Sequence, residues 1–228
     1  MSAIVKVEGV TREYHQGNHV VNALQGVDLT VETGEFTVLM GASGSGKTTL
    51  LNIIGGLDTP TAGRICIEGQ DLAKLSSGQL SDLRLQRLGF VFQAYNLLPV
   101  LSAFENTEFP LLMRGVPAAE RTERVNSTLK AVGLEGMESR KPSELSGGQQ
   151  QRVAVARAIA ADPILVLADE PTANLDSKTG TELIEMMRQL NEEHGVTFIF
   201  ATHDTKVMNA AKRVISMEDG LIISDETR

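Results

Sequence analysis

Two short stretches of the sequence hold the residue types that chemistry on a phosphate requires. The first, Gly41-Ala42-Ser43-Gly44-Ser45-Gly46-Lys47-Thr48, fits the pattern G-x-x-x-x-G-K-[ST] and is followed by Thr49. Its glycines let backbone N–H groups turn inward around an anion, and a helix beginning there adds partial positive charge. Lys47 has the reach and charge for the β- and γ-phosphates of a nucleotide, and Thr48 offers a hydroxyl to Mg²⁺. The second stretch is Asp169-Glu170, at the end of the apolar run Ile164-Leu165-Val166-Leu167-Ala168. An acid at the C-terminal end of a buried parallel strand emerges in the crevice where α/β sheets bind ligands, so Asp169 is placed to hold Mg²⁺ through water. Glu170 enters the same crevice, where its carboxylate polarises an attacking water as a general base. Taken alone, an Asp-Glu pair after a strand reads as an ordinary solvated loop; the upstream glycine loop gives it a partner in the chemistry.

A third run, Leu145-Ser146-Gly147-Gly148-Gln149-Gln150-Gln151-Arg152, makes a second anion site. Ser146 is a good helix N-cap, and Gly147 and Gly148 leave N–H groups bare at the start of a helix over 149–161. One nucleotide does not need two phosphate-binding helix ends. The economical reading is that the second end contacts the γ-phosphate of ATP held by another copy of the chain.

The elements that must position these groups follow from apolar patterning. Segments 4–7, 23–31, 36–40 and 65–68 read as strands, and 36–40, 88–92, 164–168 and 196–201 are continuous apolar runs, as expected where both faces of a parallel sheet are covered. Helices are expected over 48–54, 118–132, 149–161 and 178–193, the last capped by Ser177, with Ser102 and Glu105 forming a capping box. The class is therefore α/β. Residues between Gln93 and Gly148 show no buried-strand pattern and read as a helical lobe inserted into the core.

Composition sets outer limits. The chain has 228 residues, 42% of them hydrophobic, enough for one domain with a real core. Nothing approaches the run of about 18 apolar residues that a membrane span needs, and the N-terminus MSAIVKVEGV lacks the regions of a signal peptide, so the expected location is cytoplasmic. The lone Cys66 reads as a small strand or core residue in a reducing compartment. A net charge of −8 argues against nucleic acid as a partner. Arg84, Arg87, Arg121 and Arg124 sit at helical spacings and read as a solvated face.

The Leu-Ser-Gly-Gly-Gln run at 145–149, Glu170-Pro171-Thr172-Ala173-Asn174-Leu175-Asp176, and Thr202-His203-Asp204, in that order, resemble the ATP-binding cassette family over nearly the whole chain. The resemblance implies a P-loop NTPase core with a mostly parallel sheet, an N-terminal antiparallel β part and the inserted helical lobe. Residues 1–93 and about 159–228 would form the RecA-like core and about 94–158 the lobe. It implies ATP and Mg²⁺ as cofactors, Gln93 as the glutamine that touches Mg²⁺ and reports to the lobe, and His203 as the histidine contacting the γ-phosphate. Asp176 would cross the dimer interface, and Tyr14 would stack on adenine. Each also has a duller reading: Gln93 as a surface amide, His203 as a capping residue, Tyr14 as packing on a sheet edge.

Further stretches, among them Gly55-Gly56-Leu57-Asp58-Thr59-Pro60-Thr61, Phe90-Val91-Phe92-Gln93, Asn96-Leu97-Leu98-Pro99 and Glu105-Asn106, resemble the lipoprotein-releasing and macrolide-export branch. That implies two copies driving a separate permease with few spans and a large external domain, from the inner face of the membrane. The apolar segment 96–101 reads equally as a docking surface for that permease and as a seam inside the lobe. The 25 residues after His203 leave no room for a C-terminal regulatory domain. Ala42 and Asn174 depart from common family residues without removing a group the chemistry needs. The rival classes are a cassette ATPase acting on ribosomes or DNA, which would carry long insertions or two cassettes, and a binding module without turnover, which Glu170 and His203 disfavour.

Overall fold

The computed structural model describes residues 3–17 and 19–228. The chain opens with a long antiparallel ribbon, β1 (Ala3–Gln16) and β2 (His19–Glu32), and continues into β3 (Phe36–Met40) and α1 (Lys47–Ile54). Next come β4 (Ala62–Ile67), β5 (Gln70–Asp71), α2 (Ser77–Arg87) and β6 (Leu88–Val91). Helices α3 (Ala103–Met113), α4 (Ala118–Ala131) and α5 (Gly147–Ile159) follow without an intervening strand. The chain closes with β7 (Leu165–Asp169), α6 (Ser177–His194), β8 (Thr197–Thr202), α7 (Thr205–Ala210), β9 (Arg213–Glu218) and β10 (Leu221–Thr227).

Two sheets result, an antiparallel one in the order β2-β1-β4-β5 and a six-stranded one in the order β10-β9-β3-β8-β7-β6. All neighbours in the second are parallel except β9 and β10. The continuous apolar runs have a direct cause here. Along β8, Phe198 and Phe200 enter one core with α5 and α6, while Ile199 and Ala201 enter another with α1 and the antiparallel sheet. The two-residue period of a strand divides each run between two hydrophobic layers, so nearly every position is apolar, with Thr37 and Thr197 as buried exceptions. Phe36 and Phe200 anchor the first layer with ring centroids 4.5 Å apart.

Several elements exceed or escape what patterning showed. The ladder between β1 and β2 runs out to Gln16 opposite His19, whereas β4 reaches only as far as Thr11. The outer ribbon is thus held by backbone pairing and carries no burial signal. Helix α2 buries only Leu83 and is fixed by a capping box between Ser76 and Gln79. The cap of α6 is Asp176, one residue before the expected Ser177; its Oδ1 accepts from the N–H groups of Lys178 and Thr179 at 3.0 and 3.1 Å. The four arginines read as a solvated face are partly engaged: Arg84 donates to the carbonyl of Gly56, Arg87 pairs with Glu68 and Arg121 with Glu108. Cys66 is a buried strand residue. Among the described residues no helix is long and apolar enough to cross a membrane.

Candidate active site

Strands β3, β8 and β7 are adjacent and parallel, so the residues following all three emerge at one edge of the sheet. After β3 the chain makes the glycine loop. Gly46 caps α1 with φ 100°, and a Cβ there would lie 2.6 Å from the carbonyl of Ala23, so only glycine fits. Lys47 is buried, and its Nζ donates to the carbonyls of Gly41 and Ala42 at 2.7 and 2.8 Å. Burial pushes the Lys47 ammonium below its usual range, opposed by the charges of Glu170 and Asp169. Thr48 Oγ1 donates to Asp169 Oδ1 at 2.9 Å, joining the start of α1 to the end of β7. Burial raises the Asp169 carboxyl above its ordinary value despite that hydrogen bond.

Glu170 has φ 45°, in the left-handed region where a non-glycine residue persists only if its surroundings hold it. Its N–H donates to the carbonyl of Ala201 at 2.8 Å. Its carboxylate is held on both oxygens, Oε2 accepting from Thr202 Oγ1 at 3.0 Å and Oε1 lying 2.7 Å from Nδ1 of His203. Glu170 and His203, read separately from the sequence, thus form one hydrogen-bonded pair. The Glu170 side chain is 17% exposed and that of His203 66%, which leaves the imidazole accessible at the rim.

A cavity of about 500 Å³ lies in front of these groups. Its wall includes Tyr14, Ser43, Gly44, Gly46, Lys47, Thr48, Thr49, Gln93, Asp169, Glu170 and His203. Gly41, Ala42 and Ser45 line a separate hollow behind the glycine loop. Sequence reasoning missed the residues that hold Tyr14. Its hydroxyl donates to Asp58 Oδ2 at 2.7 Å, and the Arg12 guanidinium stands 4.5 Å over its ring while itself donating to both Asp58 oxygens. The wall also includes Val21, Asn22, Ala23 and Ala173. Only the ribbon geometry brings 21–23 beside the glycine loop, so no local signal could have identified them.

The second helix end lies elsewhere. Ser146, Gly147, Gly148 and Gln149 are not among the residues lining this cavity, and neither is Asp176. Ser146 caps α5 by accepting from Gln149 N–H, while Gln149 Oε1 accepts from Ser146 N–H at 2.9 Å. Gly148 packs against Thr179 of α6 so closely that a Cβ would collide with the threonine methyl.

A groove of about 380 Å³ opens on another face, walled by Leu57, Phe90, Phe92, Phe109 and Met113 with Arg84 and Arg157. Among the described residues no carboxylate lines it. Of the segment 96–101, Asn96 lines the groove, Leu97 packs on the core, and Leu98 and Val100 are exposed. Arg157 donates to the carbonyls of Tyr95 and Asn96, two consecutive residues at positive φ, and so fixes the loop that follows Gln93.

The glycine loop, the Asp169–Glu170 edge and the detached α5 terminus together define a nucleotide-hydrolysing cassette. The family model described as ABC transporter matches residues 24–173. An ABC transporter ATP-binding protein of Thermotoga maritima is 45% identical over 228 residues, covering 100% of this chain and 97% of that one. The macrolide export ATP-binding/permease protein MacB of Mannheimia succiniciproducens is 47% identical over 222 residues, 97% of this chain. The chain spans 34% of that protein's length. A solved dimeric post-hydrolysis state of an ATP-binding cassette, bound to ADP and Pi, superposes with a TM-score of 0.90 at 44% identity, over 98% of both chains. The chain belongs to the ABC transporter family and is one of its ATP-hydrolysing cassettes.

Proposed function

We propose that this chain works as a pair of identical copies on the cytoplasmic face of a membrane, closing on two ATP molecules to drive a separate permease. One observation carries the reading: the α5 terminus has the make-up of an anion site yet does not line the chain's own cavity. Two copies facing head to tail would bring Ser146, Gly147, Gly148 and Gln149 of one onto the γ-phosphate held by 41–49 of the other, with Asp176 at the seam. The dimeric state of the related cassette supports this arrangement.

In the cavity, Tyr14 packs on adenine, and Lys47 leaves the carbonyls of Gly41 and Ala42 for the phosphates. The oxygen donors Thr48 and Asp169, in contact with each other and beside Gln93, fit Mg²⁺. Held there by Thr48, Asp169 and Gln93, the ion would supply neutralisation of charge on the phosphates. Glu170 takes a proton from the attacking water, and His203, hydrogen-bonded to Glu170, steadies that carboxylate and reaches the γ-phosphate. Loss of the γ-phosphate removes the contacts that hold the copies together, and the pair opens.

The apolar groove between α2, β6 and α3 is the docking place for the permease. MacB carries both functions in its name and exceeds this chain about threefold in length, which supports a partner that supplies the permease half here. Mechanical export or lipoprotein release through a few-span permease with a large external domain is the form of transport this branch suggests.

The test is Glu170→Gln, which keeps the shape and removes the base. Turnover should fall by roughly 10²–10⁴-fold, with ATP binding intact and an ATP-dependent dimer appearing in size-exclusion chromatography. Hydrolysis at the wild-type rate would remove Glu170 from the mechanism, and a monomer under saturating ATP would remove the sandwich.

A further inference from the structure

The loop after β6 carries Gln93 and the loop after β7 carries Glu170; two amide side chains span the gap between them. Gln151, on α5, is completely buried. Its Nε2 donates to the carbonyl of Pro171, the residue after Glu170, at 2.9 Å, and lies 3.5 Å from the carbonyl of Phe92, the residue before Gln93. Asn174 Nδ2 donates to the carbonyl of Gln93 itself at 2.9 Å. One buried donor and one exposed donor therefore fix the two loops to each other.

The state of Gln151 shows what this amide is for. Its Oε1 is buried without a hydrogen-bond partner, a cost that an apolar side chain of the same shape would avoid. What glutamine adds over such a residue is the Nε2 donor. That donor falls next to a strained residue: Glu170 sits at φ 45°, its own N–H tied to Ala201 and the following carbonyl tied to Gln151. Gln151 also lies five residues from Ser146, within the first turns of the helix whose N-terminus is the second anion site.

We propose that Gln151 and Asn174 are positioning residues that lock Gln93 and Glu170 into one unit moving with the N-terminus of α5, so that engagement of α5 by a partner's nucleotide sets the water-activating geometry in this chain's own cavity. The proposal rests on the roles given above to Glu170 and to the α5 terminus. Communication between the two sites then runs through a path of two side-chain amides, and neither of them touches nucleotide.

Asn174→Asp keeps size but replaces the donor with an acceptor facing a carbonyl, and Gln151→Met keeps length while removing the amide. Steady-state hydrolysis by the purified chain across a range of ATP·Mg²⁺ concentrations measures both. With the loss of one neutral hydrogen bond felt in the transition state, kcat should fall roughly threefold to tenfold, with KM changed by less than about twofold. The Hill coefficient should drop toward one in both variants, and the melting temperature of Asn174→Asp, at an exposed site, should stay where it is. A purely structural role would instead lower the melting temperature and leave kcat and cooperativity of the folded protein unchanged; that result, or unchanged kinetics in both variants, overturns the proposal. Asn174 is on the surface, so Asn174→Asp decides the matter if Gln151→Met does not fold. Glu170→Gln run in parallel separates the two levels: if it hydrolyses normally the underlying reading fails, and if it is inactive while Asn174→Asp behaves as wild type only the coupling fails.

Discussion

Tyr14 illustrates how a residue of the cavity wall depends on neighbours that do not line the cavity. Asp58 binds its hydroxyl and Arg12 covers its ring, so the aromatic is fixed before any nucleotide arrives. Tyr14→Phe removes only the tether and should raise the Kd for ATP by less than about threefold, whereas Tyr14→Ala removes the proposed stacking surface and should raise it about tenfold; isothermal titration with ATP measures both. Burial alone would raise the Asp58 carboxyl, but the hydrogen bonds from Tyr14 and Thr59 and the charge of Arg12 hold it below its usual range. A depressed carboxyl contributes stability that is complete above the unfolded value, near pH ~3.9, and is lost as pH falls through the folded one. The difference in urea midpoint between wild type and Asp58→Asn should therefore be constant at neutral pH and shrink below about pH 4.

At the scale of elements, the same parallel sheet that fixes the catalytic edge leaves an apolar groove between α2, β6 and α3. Leu57, Phe109 and Met113 are 48, 41 and 57% exposed, and three such residues around one hollow are more than scattered surface apolars explain. In the proposed arrangement docking and hydrolysis use separate faces, so they should be separable by mutation. Phe109→Asp and Leu98→Asp should leave ATP hydrolysis by the isolated chain within about twofold of wild type, since neither lines the cavity. Both should abolish co-purification with the permease from gently solubilised membranes. Retained permease binding by both folded variants would remove this face as the docking place. The polar helix α2, which buries only Leu83, forms the other wall of this groove, and its sparse apolar face explains why patterning passed over it.

At the scale of the molecule, the proposed pair would bring two copies each carrying −8 close together with anionic nucleotide between them. Screening this repulsion should favour the closed pair: the ATP-bound Glu170→Gln dimer, followed by sedimentation velocity, should tighten as ionic strength rises from about 10 mM to about 100 mM, where the Debye length falls from ~30 to ~10 Å. Weakening over that range would mean that direct ion pairs across the seam outweigh the net charge.

The sequence by itself determined the chemistry and much of the frame. The pattern 41–48 and the edge acids Asp169 and Glu170 are local, because backbone turns and a strand end need only contiguous residues to form. The continuous apolar runs are also legible, because burial on both faces of a strand leaves few polar positions. What tertiary structure alone decided are the pairings between distant segments. The outer ribbon is held by a backbone ladder without burial, so 21–23 reach the cavity unannounced; Glu170 meets His203 and Thr202 only because β7 and β8 are neighbours. By its sequence Asn174 reads as a harmless departure in its own loop. Its contact with Gln93 exists because β6 and β7 run side by side, 81 residues of chain folding back to bring one amide to one carbonyl. A hydrogen bond is made by position in space, and sequence records that position only when the partners are near each other along the chain.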